Sequence, residues 1–363
     1  MKLRNYLILL VCAGVILSVF FSPNLIAQER TKRDKAKDTK TIIIPQQVKK
    51  VFEEGMPIRQ VRSDIPFTII KHIYLPDLPA KQNLHSIFFF QVKNADLGYT
   101  SLISDAEKKK EEETQPIVES SSNMLQANSH IFLQFNRLEN DSIGEPVREV
   151  DIPVKLQVES STYEANKEEL YSAGDILPPG HYLLSMAIAS ADLKRIGTQY
   201  FEFSLPDEAS LTNKTDTTPL FFMGEMEQLP SPIRKATVNK GFFTYIIFQI
   251  GYIDEKSISS RDNLELLFYV FGAHPGEDGT YNIESNYEIL KDEEKAIRYA
   301  LGIYNNPLIQ QTLPLKKTVV VKSESGEKEE SRDLEPGEYT LLIKITDKIS
   351  GLTVEKRFDF VVK

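Results

Sequence analysis

Five histidines, His72, His85, His130, His181 and His274, are the first residues to weigh as chemistry. They are scattered, with no His-x-His and no His-Glu-x-x-His, so the spacing that sets two imidazoles on one face for zinc is missing. His85 and His181 read as strand-flanking residues at or near the surface. Ser325-Gly326-Glu327-Lys328 has Ser-x-x-Lys spacing but sits in a polar stretch and reads as a solvated turn. No Gly-x-Ser-x-Gly nucleophile elbow occurs. Glu277-Asp278-Gly279 and Asp292-Glu293-Glu294 lack the alternating carboxylates of a calcium loop and read as acidic turns. Asn140-Asp141-Ser142 and Asn213-Lys214-Thr215 match the glycosylation triplet, which matters only in a eukaryotic secretory pathway. Phe88-Phe89-Phe90, Phe242-Phe243 with Tyr245, and Phe268-Tyr269 with Phe271 could stack on sugars, but they lie inside apolar strand runs and read as core. The sequence therefore offers no catalytic, cofactor-binding or metal residues. The expectation is a protein that is not an enzyme and needs no cofactor.

The elements that carry these residues follow a targeting segment. Lys2 and Arg4 precede a fifteen-residue apolar-to-small run, Leu7 to Phe21, which Ser22, Pro23 and Asn24 break. This is the layout of a secretory signal peptide over 1–27, cleaved after Ala27. The alternative is an uncleaved N-terminal anchor, although fifteen helical residues span about 22 Å of a ~30 Å hydrocarbon core. Cys12 is the sole cysteine; a lipid-modified reading fails because Val11 is not small and the apolar run before it is short. The expected location is extracytoplasmic, periplasmic or secreted, and the mature chain is then cysteine-free. With 43 Lys+Arg against 52 Asp+Glu the net charge is -9, which argues against nucleic acid as a partner.

Residues 28–58 form a charged tether, QERTKRDKAKDTK over 28–40, followed by a short helix ended by Gly55. The tether could hold the protein near anionic headgroups. The rest is strand-like. Ser86 to Val92 is a buried-strand run, as are Ile131 to Phe135, Tyr182 to Ile188, Gly241 to Tyr252 and Leu264 to Gly272. A polar insertion near 99–130 contains the charge run Asp105 to Glu113. Residues 207–218 read as a linker.

An internal repeat organises these strands. Leu177-Pro178-Pro179-Gly180-His181-Tyr182 matches Leu334-Glu335-Pro336-Gly337-Glu338-Tyr339 at an offset of 157 residues, and Phe201 and Phe203 match Phe358 and Phe360 at the same offset. Asn83-Leu84 and Phe88-Phe89 match Asn263-Leu264 and Phe268-Tyr269 at an offset of 180. Pro-Gly makes a turn, the Tyr starts a strand, and a hairpin returns the last strand along it. This is the closing portion of an immunoglobulin-like sandwich. The expected fold is all-β, two tandem immunoglobulin-like antiparallel β-sandwiches, over 59–206 and 219–363.

On Pro219 to Phe222, Asn263 to Ala273 and Leu334 to Lys363, with Arg62 to Pro76 in the first copy, the chain resembles a known bacterial region. This is the paired β-sandwich C-terminal region of exported von Willebrand A-related or GWxTD-domain proteins. The resemblance spans roughly 46 to 363 and implies fold rather than activity. The catalytic and metal-binding parts are not carried over. Asp254 to Ser259 has one residue too many for an Asp-x-Ser-x-Ser loop, and without Trp there is no Gly-Trp-x-Thr-Asp string. Function is then expected to be a non-catalytic scaffold or binding protein of the cell envelope, with a protein partner there. The alternative is an envelope hydrolase or carbohydrate-active protein whose site the sequence does not disclose.

Overall fold

The computed structural model describes residues 43–78, 82–102, 123–140, 142–207, 214–233, 235–261, 263–323 and 326–363. The signal segment, the tether over 28–40, the charge run and Ser325 lie outside the described residues. Residues 43–363 form one compact unit, whose described residues are all-β apart from one α-helix and short 3₁₀ turns.

The helix, α1 (Gln46–Gly55), continues into a 3₁₀ turn at Met56–Ile58. The α-helix ends at Gly55, as the sequence suggested, and the left-handed Arg59 (φ 55°) closes the 3₁₀ turn that follows. The first half of the unit then runs β1 (Phe67–Pro76), β2 (Leu84–Lys93), β3 (Thr100–Ser101), β4 (Met124–Gln126), β5 (Ser129–Glu139), β6 (Ser142–Val154), β7 (Gln157–Glu159), β8 (Glu168–Leu177), β9 (Gly180–Ser190) and β10 (Ile196–Leu205). One antiparallel sheet has the order β1-β2-β8, and the other β10-β9-β5-β6. Phe88 and Phe90 from β2, Leu133 and Phe135 from β5, and Tyr182 and Leu184 from β9 meet between them in one core. The flanks of the polar insertion are ordered as well: β3, β4 and β7 form a small three-stranded sheet.

The second half runs β11 (Asp216–Thr217), β12 (Phe222–Gln228), β13 (Asn239–Lys240), β14 (Phe242–Tyr245), β15 (Phe248–Ile253), β16 (Asn263–Phe271), β17 (Ile283–Lys291), β18 (Glu294–Arg298), β19 (Gly302–Tyr304), β20 (Leu308–Pro314), β21 (Lys316–Ser323), β22 (Gly326–Asp333), β23 (Gly337–Asp347) and β24 (Thr353–Val362). β12, β16 and β20 share one sheet; β18, β17, β23 and β24 form the other in that order, with β19 also on β17. Seven of these strands, β12, β16, β17, β18, β20, β23 and β24, are divided between two sheets as β1, β2, β5, β6, β8, β9 and β10 are in the first half. β21 and β22 are a hairpin inserted before the repeated Pro-Gly turn, and the bond from Leu334 N to Leu315 O closes its base.

The repeat read in the sequence has the same geometry in both copies. Gly180 and Gly337 have φ of 155° and 154°, values that favour glycine. The Tyr182 hydroxyl donates to Pro178 O and the Tyr339 hydroxyl to Glu335 O, both at 2.8 Å. Each Tyr stacks on its cross-strand Phe, Tyr182 on Phe203 and Tyr339 on Phe360. A cation lies over each ring, Arg137 on Tyr182 and Lys291 on Tyr339.

Gly241 to Tyr252 is β, as its apolar run suggested, but as two strands rather than one. It folds as the hairpin β14–β15, with Tyr245 opposite Phe248 and Ile246 in the left-handed region (φ 57°). The hairpin packs on the first sandwich, and its turn is hidden in the sequence because Ile246-Ile247 has none of the Gly, Asn or Asp residues that usually mark a two-residue turn.

That contact explains the first copy's unbroken hydrophobic strands. Where the hairpin and α1 cover their outer faces, β2, β5 and β9 are buried on both sides and the alternation disappears, whereas β1 and β6 keep exposed positions. Val48 and Phe52 of α1 pack on Phe132, Leu183, Ala187 and Ala189, the outer face of the β9–β5 sheet. Phe89, on the outer face of the β1-β2-β8 sheet, stacks on Tyr252 and meets Phe243 edge-on.

Candidate functional site

Two concave features stand out among the described residues. The first, about 80 Å³, lies at the junction of the two halves. β2 and β8 bring His85 and Asp175 to it, and the 233–246 segment brings Lys235, Asn239 and Thr244. His85 Nε2 lies 3.5 Å from Asp77 Oδ1, and its ring meets Tyr245 edge-on. Burial pushes the His85 pKa down against the opposing pull of Asp77 and Asp175. At 3.5 Å the Asp77–His85 pair is Coulombic rather than the short hydrogen bond of an acid–base couple. Asp175 accepts from Arg148 Nε at 2.5 Å.

The same junction is fastened at two further points. Lys71 Nζ pairs with Glu255 at 3.0 Å and lies over the Tyr252 and Phe358 rings, so a β1 side chain touches three residues of the other half. Burial raises the Glu255 pKa, but the Tyr252 hydroxyl and Lys71 outweigh it and hold the carboxyl below its ordinary value. The Tyr245 hydroxyl donates to Pro76 O at 2.8 Å, and burial pushes its pKa up. A main-chain stitch completes the junction, since β13 pairs with β8 and Ser172 donates to Phe242 O.

The second feature is a groove of about 400 Å³ on the outer face of the β17–β23 sheet. β17 supplies Glu284 and Asn286, β23 supplies Lys344 and Thr346, the end of β18 supplies Arg298, and the segment after it supplies Tyr299 and Leu301. In the ladder Asn286 is opposite Lys344, and Glu284 is opposite Thr346. Glu284 pairs with Lys348 at 3.4 Å, while Lys344 has no ion pair among the described residues.

The histidines end up apart. His72 hydrogen bonds Ser86 Oγ at 2.7 Å and stacks on Phe88. His130 pairs with Asp151 at 2.8 Å, and His181 meets Ser204 at 2.9 Å. His274 Nδ1 lies 3.2 Å from the fully buried Asp347, which also accepts from Ser350. Among the described residues no three His, Cys, Asp or Glu side chains gather as a metal cluster. Asp278 caps its own turn through Thr280. Asp292 and Glu293, both at positive φ, form the two-residue turn between β17 and β18. The aromatic runs are core: Phe88, Phe89, Phe90, Phe243 and Phe268 are buried.

Sequence reasoning did not single out the groove residues. The available signal was in the repeat, where copy two carries polar residues at positions that are apolar in copy one. No helix among the described residues is long and apolar enough to cross a membrane. No protein-family model matches the chain, and no curated protein matches it.

Proposed function

We propose that the chain is an exported, non-catalytic scaffold or binding protein of the bacterial cell envelope, built from two immunoglobulin-like modules. The seven strands that the two halves have in common support the immunoglobulin-like reading. The first, second and fifth lie in one sheet, and the third, fourth, sixth and seventh in the other. So do the two corner tyrosines, whose hydroxyls reach back four residues to the main chain. The resemblance to the sandwich tail of von Willebrand A-related and GWxTD-domain proteins belongs to this proposal.

The single observation that carries the functional reading is the junction. Paired domains joined by a flexible linker move independently by default. Here aromatic stacking, the Lys71–Glu255 pair and the β8–β13 stitch hold two modules in one orientation. A fixed pair suits a protein that presents surfaces to partners at a set spacing. The test is affinity capture from envelope extracts with the full chain as bait. A specific, stoichiometric protein partner is expected, and recovery of none refutes the scaffold role. Fractionation tests export: a stable cytoplasmic pool of full-length chain refutes it.

A further inference from the structure

The two copies diverge where their geometry is most alike. At the repeat offset of 157, buried Ala187 and Ala189 of β9 correspond to Lys344 and Thr346 of β23. In the ladders Phe132 faces Ala187 in copy one, and Asn286 faces Lys344 in copy two. Copy one uses this face as the apolar seat of α1. Copy two replaces the same pair of positions with an amide and an ammonium group and carves the 400 Å³ groove there. That volume lies within the range of small-ligand sites, about 300–1,000 Å³.

We propose that this groove binds an acidic sugar, a hexuronic acid or a short oligomer of one. Three features of the lining select the class. First, the main chain is already used. β23 pairs with β17 and β24, and β17 pairs with β23 on one edge and with β18 and β19 on the other. A peptide cannot add as a strand here, so a ligand is read by side chains alone. Second, Asn286, Thr346 and Glu284 offer donors and acceptors suited to hydroxyl groups. Third, the charge is cationic in excess. Glu284 is paired with Lys348, and Glu288 pairs with Lys295 at 2.8 Å and more loosely with Arg298 at 3.8 Å. Lys344 remains without an ion pair among the described residues and offers a carboxylate its counter-charge, with Arg298 on the same wall. Leu301, half exposed, gives an apolar surface for the C–H face of a ring. The proposal does not depend on the scaffold role, and sugar binding would stand even if no protein partner were captured.

The test is calorimetric titration of the full chain with the trimer of galacturonic acid, with its methyl-esterified neutral form, and with succinate. Binding of the acidic trimer is expected, weakened at least roughly tenfold in Lys344→Met and in Arg298→Met. Asn286→Leu should weaken the sugar by a similar factor. Both cations are exposed, so these variants should melt as the wild type does. Three results overturn the proposal: no binding of the acidic trimer up to about 10 mM, unchanged affinity in both cation variants, or succinate binding as tightly as the trimer. Equal binding of the neutral ester would also overturn it, because Lys344 then has no role.

Discussion

Acidification should weaken this protein through one histidine. His72 is enclosed by Phe88, Phe203 and Phe201, and burial pushes its pKa from 6.5 to about 3. The folded state therefore holds a neutral ring, while the unfolded chain takes a proton below pH ~6.5. The contribution is fully present above that pH and is lost as the pH falls toward 3. Between pH 7 and 4.5 the linkage relation gives a loss of about 2 to 3 kcal/mol. With an m value of about 3 kcal/mol/M for a unit of this size, the urea midpoint should drop by roughly 0.8 M from this residue alone. His72→Phe removes the titration and keeps an aromatic ring in the cluster. It leaves Ser86, which is buried, without its partner, at a pH-independent cost of about 1–3 kcal/mol. The assay is urea unfolding of both proteins at the two pH values. His85, whose pKa is also lowered, titrates in both proteins and cancels in the comparison. The wild-type midpoint should fall further than that of the variant. Parallel falls would refute the assignment of a buried neutral ring to His72.

Three further outcomes follow from the packing. Tyr182→Phe and Tyr339→Phe should each cost about 1–3 kcal/mol by leaving a corner carbonyl unpaired, read as a lowered urea midpoint; a loss in one copy only would mean that the two corners are not equivalent. A Cβ on Gly197 would sit 1.8 Å from Ile65 O, a main-chain atom that cannot step aside, so Gly197→Ala should lower the melting temperature by several degrees or abolish soluble expression. Phe89→Ala should cost about 3–5 kcal/mol and, because Phe89 joins the halves, split a single calorimetric transition into two.

Much of the fold was legible because its signals are local. The Pro-Gly-x-Tyr strings at 179–182 and 336–339 are short-range turn chemistry, and the alternation in Tyr339 to Ile345 marks a strand with one buried face. The short helix, the β character of the chain and the repeat are all readable on that basis. The hairpin at 242–253 was not, because its two-residue turn is Ile246-Ile247, which has none of the Gly, Asn or Asp residues that usually mark such a turn. The groove escaped for a related reason. Lys344 and Asn286 are ordinary polar residues 58 positions apart, and only the β17–β23 register puts them side by side.

By itself the sequence determined the architecture class and the repeat, since hydrophobic period, turn residues and corner tyrosines act over a few residues of chain. It also determined that the aromatic runs belong to the core, because they sit in strands too apolar to face water. The tertiary structure decided how the copies are used. Which faces are covered, where Lys71 meets Glu255, and why one copy seats a helix while the other keeps a polar groove all depend on contacts between segments far apart in the chain. Such contacts are set by sheet register and packing, and no local pattern of residue types encodes them.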